Sequence, residues 1–284
     1  MRITILGTGA LAAALGGRWG AAGHMIAVAG RSPEKAAALA ASLGGEVRAV
    51  GEAGREADAV LLAVSWTGVE DILRVAGDSL TDTTLIDPTN AVAHGIGVLT
   101  TPPDTSGAHR VAALAPGAHV VKAFHLFPAD RWTDPANPAV TVAICGDHPP
   151  ALRVTETLVR ATGSDPVVLG GLARARQLEE VAGFAIALAF AGIDPRTALP
   201  PPRTPLERDT GVHPVGGGPS EVGVPGPTTG GPVPGTGDQP RWSGRPAVAS
   251  PSRKRAGCAK PGSRPCGSHA NSAATARACV SSTC

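Results

Sequence analysis

The residues best placed to do chemistry lie in the first 35 positions. Gly7-Thr8-Gly9 follows an apolar run, Ile3-Thr4-Ile5-Leu6. Glycines so spaced after a strand let the backbone turn tightly and come close to a pyrophosphate. Ala12 stands where a third glycine would let helix pack on strand, a permitted variant. A helix starting near Ala10 and Leu11 would then present unpaired N–H groups and a positive dipole to phosphate. About 20 residues on, an NAD site wants a carboxylate for the ribose 2′-OH. This chain offers Gly30-Arg31-Ser32 instead, with Lys35 one turn later. Arg31 can pair with a 2′-phosphate, Ser32 can hydrogen-bond it and Lys35 adds charge. The pattern predicts a dinucleotide site that takes NADP(H) rather than NAD.

Such a site needs strands that end on one edge. Strands are predicted over Arg2–Leu6, Met25–Ala29, Glu46–Val50, Ala59–Val64, Thr84–Asp87, His119–Ala123 and Ala139–Cys145. Helices are predicted over Ala10–Ala22, Pro33–Leu43, Val69–Ala76, Gly107–Ala115, Pro150–Thr162 and Ala173–Ala191. Strands separated by helices imply an α/β fold of Rossmann type, a doubly wound and mostly parallel sheet. Ligands bind at the carboxyl ends of such strands. Three further segments fall there: Ser65-Trp66-Thr67, Asp87-Pro88-Thr89-Asn90 and Lys122 to Pro128. Trp66 suits the cover of an adenine or nicotinamide, or the packing of a surface aromatic. Asn90 suits a carboxamide or ribose contact, or a turn cap.

The 284 residues carry 25 Lys and Arg against 23 Asp and Glu, but unevenly. Residues 1–200 hold 15 bases and 19 acids, a balance of −4; residues 201–284 hold ten and four, a balance of +6. The mildly acidic first part gives no nucleic-acid footprint. Leu206 is the only Leu, Ile or Phe after Pro200, so residues 200–284 are expected to be a disordered Pro/Gly-rich tail. The domain proper is expected to span residues 1–199. Cys145 lies in a strand pattern and reads as a buried thiol. Cys258, Cys266, Cys279 and Cys284 lack zinc-site spacing, and no metal is expected. The apolar run Val181 to Ile193 is shorter than the roughly 20 residues a membrane span needs, and no signal-like segment opens the chain. A cytoplasmic protein without a membrane partner is expected. The last helix is apolar nearly all round from Phe184 to Ala191, which calls for burial. Its cover is either a second copy, giving a homodimer, or the rest of the monomer.

Over about residues 1–198 the chain resembles the NADPH:deazaflavin (coenzyme F-420) oxidoreductases. The resemblance rests on Gly7-Thr8-Gly9, on Gly30-Arg31 with Lys35, on Trp66 and on Lys122-Ala123-Phe124-His125-Leu126-Phe127-Pro128-Ala129-Asp130-Arg131. Val142 to Asp147 and Gly170 to Glu179 add to it. It implies hydride transfer between NADPH and a deazaflavin, with Thr8, Gly9, Ala10, Leu11, Arg31 and Lys35 binding NADP. It also implies that His125 and Pro128 lie beside the deazaflavin, His125 as a hydrogen-bond donor rather than an essential acid. The chain departs from the family pattern at Ala10, Gly30 and Ser65, which predicts a thinner phosphate grip. Two other functions fit the same cofactor site: an imine or ketone reductase resembling pyrroline-5-carboxylate reductases, and a non-catalytic NADP-binding redox sensor.

Overall fold

The computed structural model describes residues 1–93 and 95–199; the expected tail lies outside the described residues. Its elements are β1 (Arg2–Leu6), α1 (Ala10–Ala21), β2 (Met25–Ala29), α2 (Pro33–Ser42), β3 (Glu46–Val47), β4 (Ala59–Leu62) and α3 (Val69–Ala76). They continue with β5 (Thr84–Asp87), α4 (Gly107–Leu114), β6 (His119–Lys122), β7 (Thr141–Gly146), α5 (Pro149–Arg160), β8 (Asp165–Val168) and α6 (Ala175–Phe190). The strands form one sheet in the order β3-β2-β1-β4-β5-β6-β7-β8. All neighbours are parallel except β6 and β7. The winding reverses beside β1, between β2 and β4, which is where such sheets open a crevice.

Period-two alternation assigns the two cores. Ile3 and Ile5 of β1 face α1, α2 and α5, with Val28, Leu61, Ile86, Val121 and Ile144. Leu6 faces the other way, toward α3, α4 and α6, with Val60, Leu62, Leu85 and Val120. Trp19 is fully buried in the first core and donates its indole N–H to the Leu158 carbonyl at 2.9 Å, tying α1 to α5. Cys145 is buried in the second, where burial pushes its thiol up to about 12. Among the described residues no helix is long and apolar enough to cross a membrane.

Two expectations need correction, and a third stays open. The third strand ends at Val47, and a 3-10 turn over Val50–Glu52 follows instead of more strand. An eighth strand, β8, falls outside the predicted set. It contains Pro166, which lacks a ladder donor, and such a residue is confined to an edge; among the described residues β8 is the sheet edge and pairs only with β7. The last helix is only half covered. Its buried residues are Ala175, Leu178, Glu179, Ala182 and Gly183, whereas Val181 and Phe184 are 41% and 48% exposed.

Candidate cofactor and substrate site

The carboxyl ends of β1, β2 and β4 enclose a cradle of about 270 Å³ lined by Gly7, Thr8, Gly9, Arg31, Ser32, Lys35 and Ser65. Gly7 has φ +131°, and a β-carbon there would run into the Ala63 carbonyl, so only glycine lets β1 turn beside β4. Gly9 is the N-cap of α1 and offers no side-chain cap. A β-carbon on Gly9 would meet nothing within 4 Å, so the space over the helix start is free for a ligand. No acid occupies the first turn of α1. The first amides of such a helix lack intrahelical partners and favour an anion. Ala10 is exposed there, Leu11 packs on the first core and Ala12 is fully buried. Those three positions can therefore contribute through backbone and close packing rather than side-chain contact.

Arg31 and Lys35 line the cradle and pair with no acid among the described residues. Ser32 has other work. Its hydroxyl donates to Glu34 Oε2 at 2.8 Å and accepts from the Lys35 amide at 3.3 Å, capping α2. Backbone and Ser32 hydrogen bonds hold the Glu34 carboxyl below its usual range. A phosphate taking the Ser32 hydroxyl would have to displace Glu34. Gly30 also gains a reason: a β-carbon there would sit 3.2 Å from the Thr8 methyl, so a larger residue would crowd the threonine of the turn.

The remaining predicted residues fall outside this cradle. Trp66 begins a 3-10 turn before α3, packs on the second core and lies with its ring centre 6.0 Å from the Arg110 guanidinium. Asn90 and His125 come together: Asn90 Nδ2 donates to the His125 carbonyl at 2.7 Å. His125 is 7% exposed, and burial, then the Lys122 charge, lowers its pKa to about 3. The imidazole is neutral near pH 7 and can donate only one N–H. Before it, Phe124 is held at φ +59°, a strained conformation for an aromatic residue, by ring contacts to Trp19 and Trp132. Pro128 lies elsewhere, in a groove of about 880 Å³ with Leu126, Phe127, Arg131, Val181 and Phe184.

Sequence reasoning missed the buried ion cluster beneath these loops. Lys122 Nζ lies 3.0 Å from Asp87 Oδ2 and 2.9 Å from Glu179 Oε1, with all three side chains fully buried. Burial alone would lower the Lys122 pKa; the two carboxylates outweigh it and raise it. The available signal was a lysine ending the apolar run Val120-Val121-Lys122 of a covered strand.

Residues 2–91 match the family model described as NADP oxidoreductase, coenzyme F420-dependent. The rat metalloreductase STEAP3 is 31% identical over 188 residues, 63% of this chain and 36% of that protein. The chain thus spans about a third of the length of the curated relatives it matches. Among solved structures, a hypothetical protein from Sinorhizobium meliloti is 28% identical with a TM-score of 0.56, covering 62% of this chain and 88% of its own. A protein described provisionally as an F420-dependent NADP reductase, from Arthrobacter, has a TM-score of 0.59 at 22% identity, covering 67% of this chain and 95% of its own. That last likeness establishes the Rossmann-type fold.

Proposed function

We propose that residues 1–199 form an NADP-dependent oxidoreductase that moves a hydride between NADPH and a deazaflavin. The observation that carries the reading is the pair Arg31 and Lys35, with no acidic partner among the described residues, beside a glycine cradle whose second strand ends without a carboxylate. Such a pair complements the 2′-phosphate that separates NADPH from NADH. Gly9 and the start of α1 would hold the pyrophosphate. Asn90 and His125 would meet the nicotinamide end, and the wall of Leu126, Phe127 and Pro128 would take the flat deazaflavin ring. When bound, the nicotinamide supplies the hydride and the deazaflavin ring accepts it; the protein orients both and excludes water. A neutral His125 fits this role, because direct hydride transfer needs orientation and a hydrogen bond rather than an acid.

The family-model match over residues 2–91 supports the reading at the cofactor end, and the apolar groove supports it at the substrate end. We further propose that the exposed flank of α6, whose Val181 and Phe184 also edge that groove, is the contact of a homodimer, so that a second copy would sit beside the bound ring. To test the chemistry, purified protein is mixed with NADPH and oxidised deazaflavin. The expected result is loss of the deazaflavin's visible absorbance at the rate of NADPH consumption. Tight NADPH binding without turnover would refute hydride transfer to a deazaflavin and favour a sensor. Turnover of a cyclic imine instead would favour an imine reductase.

A further inference from the structure

We infer that Lys122, with Asp87 and Glu179, is a positioning residue that sets the nicotinamide end of the site; this rests on the NADPH reading above. The cluster joins elements far apart in sequence. Besides its two carboxylates, Lys122 Nζ donates to the Thr89 carbonyl. Asp87 Oδ1 accepts from the Thr89 amide at 2.8 Å and from the Thr89 hydroxyl at 2.6 Å. Glu179, on α6, accepts from the Gly107 and Ala108 amides at 2.8 and 3.0 Å, at the start of α4. Two carboxylates thus face one ammonium, and the amides of α4 and Thr89 offset the second negative charge.

A buried charge cluster is a poor way to gain stability, since apolar packing of the same volume does as well or better. What this one adds is position. Thr89 is gripped through its amide, carbonyl and hydroxyl, and Asn90 is the next residue. Asn90 in turn holds the His125 carbonyl, three residues beyond Lys122. One end of the Asn90–His125 link thus follows the residue that the ammonium grips, and the other follows Lys122 itself along the chain. Asn90 Oδ1 and His125 Nδ1 are buried and have no hydrogen-bond partner among the described residues. Orphaned buried polar atoms are costly unless a ligand completes them. A carboxamide, which carries both a donor and an acceptor, has the chemistry to do so. Glu179 also fixes the stretch of α6 that leads into Val181 and Phe184 of the apolar groove.

The test uses Glu179→Gln, which keeps the shape and removes one charge. Calorimetry would measure NADPH and adenosine 2′,5′-bisphosphate, which carries the phosphate end without the nicotinamide. NADPH is expected to weaken by about tenfold, the scale of one lost hydrogen bond, with the bisphosphate unchanged. Equal weakening of both ligands, or no change in a folded variant, would overturn the inference. If Glu179→Gln does not fold, Thr89→Val removes only the hydroxyl that steadies Asp87 and is expected to show the same partition more weakly; its failure to do so overturns the inference equally. Unaltered protein that fails to bind NADPH would instead defeat the cofactor reading itself, an outcome separable from a variant that loses both ligands.

Discussion

His125 should make the protein lose stability in mild acid, by an amount the structure sets. Its ring is buried, and burial, then the Lys122 charge, lowers its pKa from 6.5 to about 3. The unfolded chain takes up a proton near pH 6.5 that the folded chain refuses until about pH 3. Between those values the unfolded state binds more protons, so stability rises with pH and falls as acid is added. From pH 7 to pH 5 one such group costs about 2 kcal/mol, because each pH unit below the unfolded pKa is worth about 1.4 kcal/mol. The perturbation is His125→Gln, which removes the titration and leaves the backbone carbonyl that Asn90 holds. Urea unfolding at pH 7 and pH 5 would be compared for both proteins, so that every other titrating group cancels. The wild type should lose about 2 kcal/mol more than the variant over that interval. Equal losses would refute the claim that His125 is buried as a neutral base.

Two further outcomes follow from the surface of the site. Arg31→Ala should weaken NADPH by about ten- to a hundredfold, the range of one charge-assisted hydrogen bond, and leave NADH nearly unchanged; equal weakening of both, measured by fluorescence titration, would remove Arg31 from the 2′-phosphate. Phe184→Asp should turn a dimer into a monomer in light scattering at micromolar concentration, since a buried unpaired charge opposes association; a monomeric wild type would refute the α6 contact.

The proposed cofactor end of the site is readable because local rules govern its elements. A glycine turn depends on the backbone freedom of Gly7, and the β2 edge on the residues that follow one strand. Hydrophobic period and turn chemistry therefore placed β1, α1, β2 and α2 within a residue or so of the expected ends. The strand β8 was harder, because Pro166 argues against a strand until the edge position is known. Ser32 has the right type for a phosphate, but a contact two residues away already occupies it. His125 could be proposed from its loop; its neutral state could not, since that follows from burial beside a lysine.

The proposed substrate end belongs to tertiary structure. Asp87, Lys122 and Glu179 are spread over more than 90 positions, and nothing local marks them as partners. They meet only because β5 and β6 are neighbours and α6, packed on α4, brings Glu179 onto Lys122. By itself the sequence determined a Rossmann-type α/β fold and a glycine turn with a cationic edge, because both arise from contacts along short stretches of chain. Tertiary structure alone decided which buried charges pair, how Asn90 and His125 are held, and how much of α6 stays open, because those depend on elements that only the folded sheet brings together.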